Sequence, residues 1–89
     1  MSIFTAEVRV MLKPSVNDPQ GLSIGKALRT LGFDGVRDVR AGKLIVVSVE
    51  ATDAAAAQES VRAMADKLLA NPVIETFEVS LREAVAPAT

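Results

Sequence analysis

Cysteine and histidine are both missing from the chain. The first absence excludes disulfides, iron–sulfur clusters and thiolate metal sites together; the second removes the commonest metal ligand and the side chain best suited to proton transfer near neutrality. Tryptophan and tyrosine are absent as well, which leaves three phenylalanines. A sheet that binds RNA needs exposed rings on which bases stack, and two of these three fall on core positions of expected strands. Neither sign of charge dominates: ten Lys and Arg stand against eleven Asp and Glu, a formal net charge of −1, without the basic footprint of a nucleic-acid binder. No apolar run approaches the ~20 residues that cross a bilayer, and in MSIFTAEVRV the charges of Glu7 and Arg9 interrupt the stretch that a signal peptide would need. The chain reads as soluble and cytoplasmic, with no nucleic-acid or membrane partner. At 89 residues it is one domain able to bury roughly 60% of its unfolded surface, so covering a further apolar face with a partner would matter.

What is present has a clear period. Residues 3–13 alternate, with Phe4, Ala6, Val8, Val10 and Leu12 on one side and Thr5, Glu7, Arg9 and Lys13 on the other, the pattern of a half-buried strand. Lys13-Pro14 breaks the ladder, because proline offers no backbone donor. Asp18 before Pro19 predicts a helix start: a carboxylate accepts from the free amides of the first turn, and proline loses nothing at the first helical position. That helix should cover residues 19–31, with Ile24, Ala27, Leu28 and Leu31 as its buried stripe and Gly32 as the left-handed residue that ends it. Residues 36–41 and 43–50 predict two strands joined by a hairpin turn at Ala41-Gly42-Lys43, with Ile45, Val47 and Val49 facing the core. A second helix begins near Thr52 or Asp53, buries Ala57, Val61, Met64, Ala65 and Leu68, and stops at Asn71-Pro72, where Asn71 takes the part of Gly32. A last strand over residues 73–81 turns Phe77, Val79 and Leu81 inward.

Strand, helix, strand, strand, helix, strand is the order of an α+β, ferredoxin-like βαββαβ sandwich, a four-stranded antiparallel sheet with two helices on one face. Residues 1–82 form the single domain, and residues 83–89 read as a flexible C-terminal tail. The other sheet face is bare in one copy. Its Ile3, Met11, Leu44 and Val46 suit self-association, with Leu44 and Val46 as the candidate contact because neighbours in a strand point oppositely.

The catalytic inventory is thin. Asp34 and Asp38 lack the spacing of a calcium loop, and Ser23, Ser48 and Ser60 have no histidine to take a proton. The glycines do not make a phosphate-cradling loop. Arg37, Arg40 and Lys43 gather at the hairpin, where they suit either a partner's acidic patch or a charged edge that resists aggregation.

Four stretches taken in order, KPSVNDPQG, ALRTLGF, VRDVRAGK and KLLANPVIETFEV, resemble the PurS family, and the likeness runs over residues 3–81. PurS is the small subunit of phosphoribosylformylglycinamidine synthase. The resemblance implies a non-catalytic component of a purine-biosynthetic complex that makes formylglycinamidine ribonucleotide from formylglycinamide ribonucleotide, glutamine and ATP. A synthetase subunit of the PurL type would use ATP and Mg, a glutaminase subunit of the PurQ type would release ammonia, and this chain, with no cofactor of its own, would assemble them and associate with itself as a dimer or tetramer. The motif positions Lys13, Pro14, Asp18, Pro19, Gln20, Gly21, Arg40, Gly42, Lys43, Asn71 and Pro72 are the candidate partner interface. A ferredoxin-like sensor that binds an amino acid between paired domains is the competing expectation.

Overall fold

The structure is a computed structural model in which residues 1–83 are described; residues 84–89, most of the expected tail, lie outside them. Three strands form one antiparallel sheet in the order β2-β1-β3. β1 (Ser2–Leu12) runs through its centre, flanked by β2 (Gly42–Ala51) and β3 (Glu75–Glu83). The alternation of β1 decides which face becomes the core: Phe4, Ala6, Val8 and Val10 are all buried, and Val8 stands opposite Ile45 on one side and Val79 on the other. α2 (Ala54–Met64) lies over this face and buries Ala57 and Val61, two small residues that let it approach the strands closely. Asp53 starts it as expected, accepting from the Ala56 amide at 2.8 Å.

After Met64 the helix widens into a π-turn over Ala65–Leu69, closed by the Ala70 amide on the Ala65 carbonyl at 2.9 Å. One added residue per turn rotates the side chains beyond it about the helix axis. Ala65 and Ala70 are buried, whereas Leu68, expected in the core, is 83% exposed. Asn71 ends the segment by a different device from Gly32, which does have a positive φ of 102°. Ala70 is already extended, and the Asn71 side chain accepts from the Val73 amide at 3.0 Å, making a turn that delivers the chain into β3.

The expected fourth strand does not form. Residues 36–41 have no strand pairing, so the sheet has three strands and there is no hairpin at Ala41-Gly42-Lys43. Both edges of β1 are taken, and the backbone of the segment is held elsewhere: the Arg29 guanidinium donates to the Val36 carbonyl and the Ala41 amide donates to Asp18. Gly42 instead opens β2 opposite Met11, where a Cβ would run into the Met11 sulfur and the Val10 carbonyl. With no fourth strand beside it, β2 is an edge of the sheet.

α1 (Pro19–Thr30) departs further from expectation. Its buried residues are Gly21 and Gly25, and it makes little contact with the sheet. The stripe expected in the core points away, with Ile24 39% and Leu31 73% exposed. On β2 the inward residues Ile45, Val47 and Val49 are consequently only half-buried, and Val47 is not packed against the buried clusters.

Candidate functional site

The loop between β1 and α1 is stiffened at both ends. At its start the Lys13 amide donates to the Ile74 carbonyl at 2.8 Å, and the Val16 amide returns to the Lys13 carbonyl at 2.9 Å. At its end Asp18 caps α1, accepting from the Gly21 amide at 3.0 Å. The same carboxylate accepts from the Ala41 amide at 2.7 Å, so one side chain joins the helix start to the residue before β2. Arg40 completes the clamp by donating from one guanidinium nitrogen to the carbonyls of Lys13 and Val16, each at 3.0 Å. Asp18 is 4% exposed. The amides of Ala41 and Gly21 hold its carboxyl below the usual carboxylate range, helped by the nearby Arg40 charge and opposed by burial.

Three stretches far apart in sequence therefore meet at one end of the sheet. A cleft of about 210 Å³ is lined there by Leu12, Asp18, Gln20, Gly42, Lys43 and Glu75 among others, and a neighbouring one takes in Pro14, Asp38 and Arg40. The turn of Asn71 and Pro72 joins them through Ile74, whose carbonyl holds Lys13, and through Glu75, whose carboxylate accepts from the Asn71 amide at 2.7 Å. All the candidate interface positions belong to this end, but they divide into two kinds. Asp18, Gly21 and Arg40 face inward and build the platform; Pro14, Pro19, Gln20, Gly42, Lys43, Asn71 and Pro72 are exposed on it, and Lys13 is half-buried.

The basic cluster is largely spent internally. Arg40 is committed to carbonyls and Lys43 lies 3.9 Å from Glu75, which leaves Arg37 as the member of the three without such a contact among the described residues. Glu75 and Val39 were given no role from the sequence. The signal for Glu75 was its place four residues after Asn71; Val39, which packs on Gly21 and Gly25, had no signal beyond being one apolar residue among charges.

On the opposite sheet face, Leu44 and Val46 are 57% and 59% exposed, as their alternation with Ile45 and Val47 requires. Beside them is a polar ladder rather than a continuous apolar surface: Glu7 accepts from Arg9 at 3.3 Å and from Arg82 at 3.1 Å, and Arg9 donates to the Ser80 hydroxyl at 3.2 Å. Among the described residues no group of three or more His, Cys, Asp or Glu could hold a metal, and no helix is long and apolar enough to cross a membrane.

A family model described as PurS: Phosphoribosylformylglycinamidine (FGAM) synthase matches residues 5–83. The chain belongs to the PurS family. Phosphoribosylformylglycinamidine synthase subunit PurS of Synechocystis is 45% identical over 87 residues, which cover 94% of this chain and 87% of that one. The crystal structure of Bacillus subtilis PurS superposes with a TM-score of 0.79 at 39% identity, covering 90% of this chain and 99% of the other. A chain in the structure of PurLQS from Thermotoga maritima gives a TM-score of 0.83 at 37% identity, with coverage of 94% and 100%. This PurS chain is thus a subunit of an FGAM synthase, a glutamine-hydrolysing ligase of purine biosynthesis, as the four sequence stretches suggested.

Proposed function

We propose that this PurS chain acts as the non-catalytic small subunit that brings a glutaminase of the PurQ type and a synthetase of the PurL type into working register, so that ammonia released from glutamine reaches formylglycinamide ribonucleotide. ATP and Mg belong to the synthetase in this reading, and the assembly works in the cytoplasm. The observation that carries it is the convergence of the loop after β1, the start of β2 and the Asn71 turn on one pre-ordered end of the sheet, in a chain with neither cysteine nor histidine. A surface fixed before binding loses less entropy when a partner arrives. Self-association through Leu44 and Val46 on the open face is part of the same proposal. Neither the family nor the geometry favours an amino-acid sensor.

The test is a turnover assay with separately purified subunits. Adding this chain to the other two should raise glutamine-dependent synthesis while leaving synthesis from free ammonia much less affected. Equal rates with and without it would overturn the reading.

A further inference from the structure

We propose that Asp34-Gly35, at the tip of the turn between α1 and the segment leading to β2, is a modification site at which the backbone cyclises to a succinimide and reopens as isoaspartate. The inference is independent of the adaptor role.

The reaction needs a carboxyl or carboxamide side chain followed by a backbone N–H that is free to reach it. The Gly35 nitrogen adds to Cγ of the protonated Asp34 carboxyl. A C–N bond forms, and one water leaves, made of the carboxyl hydroxyl and the amide hydrogen. Water then adds to either carbonyl of the imide ring. Opening at Cγ restores aspartate; opening at the α-carbonyl leaves the chain running through Cβ and Cγ, with the α-carboxylate free. The water lost is regained, and neither oxidant nor metal enters.

The turn presents the reacting groups openly. The Val36 amide donates to the Phe33 carbonyl at 3.2 Å, which makes Asp34 and Gly35 the central residues of a β-turn. The Gly35 amide has no backbone partner among the described residues. Both residues are exposed, Asp34 belongs to none of the ion pairs among the described residues, and a Cβ built on Gly35 would meet nothing within 4 Å. Nothing therefore opposes the rotation that brings the nitrogen to Cγ, and glycine allows the widest range for it.

Every other candidate among the described residues lacks a requirement. Asp18 and Asn71 precede prolines, which carry no N–H. Asp53 is engaged as the cap of α2, and Asp66 lies within the π-turn. Asn17 is followed by Asp18, which is buried and held by two amides, and Asp38 by the stiff, branched Val39.

Conversion has a structural consequence. The extra backbone atom displaces Val36 relative to Phe33 and to Arg29, whose guanidinium donates to the Val36 carbonyl at 3.3 Å. The C-terminal end of α1 then loses its tie to the segment that carries Arg40 and Ala41.

The test ages the full-length chain in neutral buffer made with heavy-oxygen water and maps its peptides by mass spectrometry. Heavy oxygen and isoaspartate should concentrate at residue 34. The freed carboxylate should accept labelled methyl groups from S-adenosylmethionine when an L-isoaspartate carboxyl methyltransferase is added. Gly35→Ala should slow conversion by about tenfold, because a Cβ narrows the backbone range open to the attacking nitrogen. Asp34→Glu, whose added methylene enlarges the ring that must close, should abolish methyl acceptance in this turn. Isoaspartate spread evenly over the aspartates, an unchanged rate in Gly35→Ala or persisting acceptance in Asp34→Glu would overturn the proposal. In the converted fraction, hydrogen exchange in the last turn of α1 should quicken; unchanged protection there would overturn the structural consequence.

Discussion

Alanine at Gly21 sets two effects of opposite sign against each other. Glycine inside a helix is about 1 kcal/mol less favourable than alanine, so propensity alone predicts stabilisation. At this position, however, a Cβ would collide with the Val39 carbonyl oxygen and come within 2.7 Å of an Asp18 carboxylate oxygen. Both obstacles are fixed: the carbonyl is backbone, and the carboxylate is held by the amides of Gly21 and Ala41. Overpacking of this kind costs about 1–3 kcal/mol, leaving a net loss of up to ~2 kcal/mol once propensity is credited. Gly25 is the internal control, because a Cβ there would meet the Val39 side chain and the Arg29 guanidinium at 3.4 Å. Both are movable, so Gly25→Ala should be neutral or stabilising. The loss at Gly21 should be local, because α1 barely touches the sheet. Hydrogen exchange is therefore the assay: Gly21→Ala should speed exchange in α1 by up to about 30-fold, the equivalent of ~2 kcal/mol, and leave β1 protected. If Gly21→Ala protects α1 as well as Gly25→Ala does, the seam against Val39 does not hold the helix.

Three further outcomes are expected. Because the folded Asp18 carboxyl titrates below the usual value of 3.8, its stabilisation is complete above that value and is lost as pH falls through the lower folded value. α1 amides should accordingly lose protection on acidification below about pH 4, and Asp18→Asn should weaken α1 at neutral pH and flatten that pH step; an unaltered step in the variant would assign it to other groups. Arg40→Ala should release the loop at Lys13 and Val16 and speed its exchange, whereas Lys43→Ala, which removes only a long 3.9 Å contact of a largely exposed lysine with Glu75, should change stability by no more than about 1 kcal/mol in urea denaturation; the reverse order would refute the clamp. Val8→Ala, fully buried at the centre of the sheet, should cost about 2 kcal/mol and lower the melting temperature by about 10 °C, and a shift under about 3 °C in calorimetry would show that the site collapses without a cavity.

Local rules made much of this fold legible. The alternation of β1, the caps at Asp18 and Asp53 and the left-handed Gly32 each depend on a residue and its immediate neighbours, and each stands where the pattern put it. What escaped depends on competition between distant segments. Residues 36–41 carry enough apolar character for a strand, but Ala41 donates to Asp18 rather than to a neighbouring strand. The row on α1 has the right period for burial, yet period says only that a face seeks cover, not whose. Leu68 was misplaced because nothing in ADKLL announces a π-turn. At the candidate site the motif positions were legible as a set, but their division into inward-facing clamp and outward-facing platform was not, since spacing carries no information on which way Asp18 or Arg40 turns.

The central place of β1 has a consequence during synthesis. It is made before either of its partners: Met11 waits for Gly42, and Phe4 completes its second ladder only with Glu83. At about 5–20 residues per second that wait is several seconds or more, during which an alternating segment with both edges open is a ready template for pairing with another nascent chain. β2 can close one edge as soon as Ala51 emerges; the second remains open until β3 follows it. A ribosome paused before β3 would hold a half-built sheet, so the yield of soluble protein should respond to synonymous codons in that interval even though the finished molecule is the same.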